Sequence, residues 1–180
     1  MLSFLAPHFR IARVQDLTLV QLREMGIQSL LLDADCTLKR YRSEECEPGV
    51  RPWLDEMRAA GIGLCLVSNG VGPRIARFAA TLGLPFLAQA MKPLPAGCRR
   101  AIAAQGFHAS RTAMVGDQLF ADIAAGRWAG LTTILVDAIH PEEERWFTRM
   151  KRVPERMLLR HYEAQCTIIH LSTAKSNSNP

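Results

Sequence analysis

The chain has 180 residues, 48% of them hydrophobic, and a formal net charge of +5. That length is most simply one domain with a single sizeable core, and the apolar share excludes global disorder. No apolar run approaches the roughly 20 residues needed to span a bilayer, and Met1 to Ile11 is broken by Pro7, His8 and Arg10, so neither a signal peptide nor a transmembrane helix is expected.

In chain order, a lead-in helix pattern from Asp16 to Met25 ends at Gly26. Ile27 to Asp33 follows as a short apolar run, which reads as a buried strand that stops in two acids, Asp33 and Asp35. Pro52 and Gly61 bracket a helix from Pro52 to Ala60. Gly63 to Val67 reads as a strand stopped by Ser68-Asn69-Gly70, Pro73 to Leu82 as a helix closed by Gly83, and Pro85 to Ala88 as a short strand. Pro95 to Gln105 is a third helix in this series, Thr112 to Val115 a strand ending in Gly116-Asp117, Leu119 to Ala129 a helix and Leu131 to Val136 a fifth strand. Strands alternating with helices of about ten residues predict an α/β fold, a central parallel sheet with helices on both faces. In such sheets ligands bind at the carboxyl ends of the strands, and that is where Asp33, Asp35, Ser68, Asn69, Lys92 and Asp117 fall. The organisation expected is a lead-in segment over 1–26 packed on or near the core, a catalytic domain over 27–165 and a flexible Ser/Asn-rich tail over 166–180.

Four of these segments, Asp33-Ala34-Asp35-Cys36-Thr37, Ser68-Asn69, Lys92-Pro93 and Gly116-Asp117-Gln118 followed by Asp122, resemble in order the four motifs of the haloacid dehalogenase superfamily. Each is weak alone; the conjunction, spread over about residues 27 to 136, is specific. The last motif and the lead-in helix look most like the small subfamily IIIA phosphatases, the group that includes phosphatidylglycerophosphate phosphatases. Cys36 stands where those relatives usually carry Asn, at a position read here as a spacer. The stretches Leu38 to Leu64 and Gly70 to Met91 are each used up by a helix and short connections, so no cap domain is expected.

Phosphate-ester hydrolysis needs an in-line nucleophile, charge neutralisation and a proton for the leaving alkoxide. Asp33, last of its strand, is assigned as nucleophile, and Asp35 as general acid/base, with a pKa raised by the neighbouring carboxylate; the resemblance implies the same roles. Oxygen ligands from Asp33, the main-chain carbonyl of Asp35 and Asp117 suit Mg²⁺ better than zinc. Lys92 supplies a fixed positive charge, Ser68 and Asn69 bind the phosphoryl group, Thr37 fixes the loop by a local hydrogen bond, and Asp122 supports the site from behind.

Bland rivals stand beside each of these. The Asp33/Asp35 pair is also a turn with a helix cap, Ser68-Asn69-Gly70 a plain turn, Lys92 a surface lysine, Asp117 a cap and Asp122 part of a solvated face. No histidine is read as catalytic, and Trp53, Trp128 and Trp146 are read as packing residues.

An open site favours a phosphate on a large or surface-bound molecule, such as a lipid head group. Phe4, Leu5, Phe9, Ile11 and Val14, alternating with His8, Arg10 and Arg13, lie at an anionic membrane surface or pack on the domain. The basic excess at Arg145, Arg149, Lys151, Arg152, Arg156 and Arg160, interleaved with Glu142, Glu143, Glu144 and Glu155, reads as a solvated helical face or as a site for an anionic partner. No nucleic-acid-binding motif is present, so nucleic acid is not expected. Five scattered cysteines without metal-ligand spacing fit a reducing, cytoplasmic compartment. The expected activity is Mg²⁺-dependent phosphomonoester hydrolysis through an aspartyl-phosphate, with phosphatidylglycerophosphate the leading substrate by resemblance. The rivals are a soluble metabolite or phosphoprotein substrate, and a non-catalytic binding protein on the same fold.

Overall fold

The computed structural model describes residues 5–143, 146–165 and 169–170. Its centre is a parallel sheet in the order β4-β3-β2-β5-β6-β1-β7. The strands are β1 (Phe9–Ile11), β2 (Ser29–Leu32), β3 (Gly63–Val67), β4 (Phe86–Leu87), β5 (Thr112–Gly116), β6 (Thr132–Val136) and β7 (Ile169–His170). The helices are α1 (Leu19–Glu24), α2 (Val50–Ala59), α3 (Gly72–Leu82), α4 (Ala96–Gln105), α5 (Ala124–Ala129) and α6 (Trp146–Gln165).

The central strand β2 explains the layering. All four of its residues are buried, as a strand covered on both faces must be. Leu30 and Leu32 pack with Leu54 and Met57 of α2 and Ile75 and Phe78 of α3. Leu31, pointing the other way, packs with Cys65, Met114, Ala101 of α4 and Ala125 of α5. Burying each such leucine stabilises the fold by about 1.5–3 kcal/mol. A third cluster, with Leu119, Ile123, Leu135 and Tyr162, seats α6 against the sheet. The chain between β2 and β3 makes a loop and α2, and that between β3 and β4 makes only α3, so no cap is inserted at either place.

Several boundaries differ from the sequence expectation, each for a local reason. The first helix starts at Leu19, not Asp16, because Thr18 caps it: Thr18 Oγ1 accepts from Gln21 N, and Gln21 Oε1 accepts from Thr18 N. Asp16 belongs to a separate 3₁₀ turn, Val14–Asp16. The predicted helix from Leu119 opens as a π-helical turn, Leu119–Ile123, before α5. The termini of α3 and α4 are as expected, at Gly83 and Gly106 with φ of 60° and 65°.

Two strands beyond β6 in the sheet, β1 and β7, were not legible. β1 is three residues long and pairs with β6, fastened by His8, whose backbone N donates to the Thr133 carbonyl at 3.1 Å and whose ring meets Thr133 Oγ1. Ile11 and Val14 are buried in the main core and Leu5 under α6, so the lead-in packs on the domain and these side chains are not available to a membrane; Phe4 lies outside the described residues. β7 falls inside the stretch expected to be a flexible tail; 166–168 and 171–180 lie outside the described residues. Trp53 packs as expected, 4% exposed, its Nε1 donating to Leu17 O at 2.7 Å. Trp128 and Trp146 depart from the packing role, at 43% and 71% exposed.

Candidate active site

The strand order runs outward in opposite directions from β2 and β5, and the crevice at that switch point is where a doubly wound sheet binds its ligand. Asp33 leaves the end of β2 with its backbone N still donating to Val115 O at 2.9 Å, so its side chain is anchored by the sheet ladder. Asp117 leaves β5 next door, and Ser68 leaves β3. Asp33, Asp35, Ser68, Asn69, Lys92 and Asp122 line one open cleft of about 230 Å³, together with Tyr41, Gly70, Arg74, Gln118, Ala121 and Thr148.

Lys92 is the hub. Its ammonium is buried and donates to Asp33 Oδ1 at 2.5 Å, Asp122 Oδ1 at 2.6 Å and Val67 O at 2.7 Å. Burial works against the charge, but Asp122 and Asp33 outweigh it and hold the lysine pKa above its ordinary value. Lys92 is therefore no surface lysine. Its loop is tied by Asn69, whose Nδ2 donates to Lys92 O at 2.9 Å and whose Oδ1 accepts from Lys92 N at 2.7 Å. This reciprocal pair engages the Asn69 side-chain amide in holding Lys92. The Lys92-Pro93 peptide is cis.

Asp33, Asp117 and Asp122 bring carboxylate oxygens within 4.8 Å of one another, and all three residues are buried. Burial raises the Asp33 pKa, with Asp122 and Asp117 adding to the rise and Lys92 opposing it. Asp122, 1% exposed, is not on a solvated face. Its Oδ2 accepts from Gln118 N at 2.9 Å while Oδ1 takes Lys92, so the π-helical turn presents it inward. The glycine of Gly116-Asp117 has a steric reason: a Cβ there would stand 2.4 Å from the Asp122 carboxyl carbon.

Thr37 Oγ1 donates to Asp117 Oδ1 at 3.1 Å. The expected local bond is instead one that joins two motifs across the site. Asp117 does not cap the following helix, where Gln118 takes the N-cap place with no side-chain cap bond. Its carboxylate also receives the guanidinium of Arg152 from α6, and Arg152 Nη1 donates to Asp117 O at 2.6 Å. Ser68 is buried, and its Oγ accepts from Gly70 N at 3.0 Å.

Asp35 departs from the expected electrostatics. Burial alone raises its pKa, but Arg74 and Lys39 more than reverse this and hold the carboxyl below its ordinary value. Arg74 grips it with two donors, Nη1 to Oδ1 at 2.7 Å and Nη2 to Oδ2 at 2.5 Å, and the fully buried Lys39 donates to Oδ1. Asp35 rests ionised, and the raised carboxyl of the pair is Asp33. Nor is Cys36 a spacer: at φ 64° it is the pivot of the tight turn, its N donating to Lys39 O at 2.7 Å. That left-handed conformation suits Asn better than Cys.

Lys39, Arg74 and Arg152 were missed by the sequence reading. Lys39 lies next to the first motif and Arg74 a turn after Ser68-Asn69-Gly70, so proximity was a signal for both. Arg152 had none, since it sits 35 residues from Asp117 among other basic residues.

The sequence model of the haloacid dehalogenase-like hydrolases matches residues 12–130. The chain is 30% identical over 157 residues to a probable phosphatase, YqeG, of Bacillus subtilis (strain 168), covering 87% of this chain and 91% of that one. It is also 30% identical over 159 residues to the chloroplastic phosphatidylglycerophosphate phosphatase 1 of Chlamydomonas reinhardtii, covering 83% of this chain and 59% of that longer relative. Among solved structures, NagD of Escherichia coli K-12 superposes with a TM-score of 0.57 at 17% identity, over 83% of this chain and 98% of that one. The cobalt-bound deoxy-D-mannose-octulosonate 8-phosphate phosphatase of Haemophilus influenzae gives 0.50 at 19% identity, over 62% and 69%. These two likenesses bear on the fold.

Proposed function

From the premise that this chain belongs to the haloacid dehalogenase-like hydrolases and is a phosphatase, we propose that it hydrolyses the phosphomonoester of a lipid head group, phosphatidylglycerophosphate first, through an aspartyl-phosphate on Asp33. The observation that carries the chemistry is the convergence of Asp33, Lys92, Ser68 and Asp35 on one cleft. The cleft volume of about 230 Å³ supports the substrate class: it takes a phosphate and little more, leaving the rest of the molecule outside. The likeness to a relative named for this substrate supports it too.

Asp33 attacks phosphorus with a carboxylate oxygen, forming the acyl-phosphate as the ester P–O bond breaks. Lys92, held against Asp33, neutralises charge on the phosphoryl oxygens, and Ser68 Oγ, which among the described residues accepts from Gly70 N, has its own proton for one of them. Asp35 gives its proton to the leaving alkoxide and takes one from the water that then cleaves the acyl-phosphate. Its resting ionised form suits the second step. Arg74 lines the cleft, and turning from Asp35 to the incoming phosphate removes one of the two charges that keep Asp35 ionised, so that Asp35 takes up a proton from water and serves as the acid.

Asp33 and Asp117, from the buried carboxylate cluster, together with the main-chain carbonyl of Asp35 that the family resemblance implies, make an oxygen-only donor set that fits a hard cation, which we assign as Mg²⁺. Such an ion supplies charge neutralisation between carboxylates and phosphate. Asp122, which takes Lys92 on one oxygen and the Gln118 amide on the other, is assigned as the support of Lys92, and Arg152 would give up its place on Asp117 to the ion. We place the protein in the cytoplasm, peripheral to the inner face of a membrane; no helix among the described residues is long and apolar enough to cross one.

Asp33→Asn tests the chemistry, and is expected to abolish phosphate release while leaving the melting temperature near that of the parent. Phosphate release from phosphatidylglycerophosphate in vesicles, set against soluble phosphate esters, tests the substrate. Turnover of the soluble esters alone would overturn the lipid reading.

A further inference from the structure

The C-terminal helix α6 exposes an apolar stripe that the site does not use. Trp146, Met150, Val153 and Met157 recur at spacings of four, three and four residues, which places them on one face. They are 71%, 64%, 54% and 69% exposed, whereas Glu155 and Tyr162, on the opposite face, are 7% and 2% exposed. One flank of the stripe carries Arg149, Arg156 and Arg160, all exposed. From Trp146 to Tyr162 the helix contains a single carboxylate, Glu155, and it is buried, so the solvent side of this stretch is apolar and cationic with no exposed acid.

We propose that this face of α6 is an interfacial helix that docks the protein on an anionic lipid surface. The stripe enters the boundary between head groups and acyl chains while the arginines pair with lipid phosphates, the arrangement that a strongly amphipathic, basic helix with an aromatic residue favours. Charge decides among occupants. A second copy would set two cationic faces against each other, and a nucleic acid would leave four apolar side chains in water. The position also fits: Arg152 of the same helix reaches Asp117, and Thr148 lines the catalytic cleft, so a docked α6 keeps the open site one helix away from the lipid surface. The contact thus belongs to α6 and not to the lead-in segment. The inference rests on the lipid-phosphate reading for its purpose, but the binding itself is measured without turnover.

The test is co-sedimentation of the full chain with phosphatidylcholine vesicles, with and without about one third of phosphatidylglycerol. Anionic vesicles are expected to retain the protein about ten-fold better than neutral ones, with the difference lost at high salt. The double variant M150E/M157E should lose the binding, yet keep its melting temperature and its hydrolysis of p-nitrophenyl phosphate. R149Q/R156Q, which leaves the stripe intact, should lose the preference for anionic vesicles. Tryptophan emission should shift to the blue on anionic vesicles, and not in W146F. Equal binding to neutral and anionic vesicles, or unchanged binding of M150E/M157E, would overturn the proposal. So would a dimer in solution that this variant dissociates. Absence of any phosphate release by the parent chain would sink the phosphatase reading and leave the vesicle result standing by itself.

Discussion

Asp35 sits between two cations of unequal freedom. Lys39 is fully buried, with its ammonium 5.1 Å from the centre of the Phe78 ring, while Arg74 keeps about a fifth of its side chain in solvent. Removing the carboxylate strands a buried charge, whereas removing the lysine leaves Asp35 its arginine. Asp35→Ala is therefore expected to cost about 3 kcal/mol in urea unfolding, and Lys39→Met less than about 1.5 kcal/mol. Equal losses in the two variants would refute this asymmetry. At Gly116 a methyl group meets the Asp122 carboxyl, which cannot retreat without leaving Lys92. Gly116→Ala should cost about 1–3 kcal/mol and slow phosphate release at least about ten-fold, read by chemical unfolding and by initial rates.

At the scale of elements, α6 does the most that no local pattern announced. It seats Tyr162 in the third core cluster, sends Arg152 to Asp117 and offers Glu155 Oε1 to Phe120 N at 2.8 Å, which ties down the start of the π-helical turn. Burial raises the Glu155 pKa to about 7, with Asp117 and Asp122 adding to the rise and the Phe120 amide and Arg152 opposing it. The folded chain thus holds this proton more tightly than the unfolded one. Glu155 favours folding most below its ordinary value of 4.5, and that contribution is lost as pH rises through about 7. Glu155→Gln keeps the acceptor for Phe120, so its urea midpoint should fall less than the parent's between those pH values, measured with chelator present. His8 titrates in the opposite sense: burial first, and Arg127 next, lower its pKa, so the β1–β6 fastening weakens as pH falls below the ordinary 6.5.

For the whole molecule, charge around the crevice sets what it binds. Asp33, Asp117 and Asp122 face Lys92 and Arg152, leaving the cluster one positive charge short of neutrality. A divalent cation that binds the folded chain alone stabilises it by about 2.7 kcal/mol at a hundred times its Kd. Mg²⁺ should raise the melting temperature by several degrees, and Asp117→Asn should abolish most of the rise. No rise in the parent chain would remove Mg²⁺ from the site.

The alternation of apolar runs with glycine- and proline-bounded helices was enough to specify the five strands β2 to β6 and the helices between them, because each is punctuated by its own residues. Acids, Ser68 and Lys92 at the strand ends followed, since a parallel sheet gathers those ends at one edge. Short strands such as Phe9–Ile11 carry too few residues to show a period, and they exist because β6 had an edge to pair. Likewise, whether Asp35 rests charged depends on Lys39 and Arg74, and Asp117 finds Arg152 only through α6. Those choices belong to packing: burial sets the cost of each charge, and only the folded chain decides which opposite charge lies within reach.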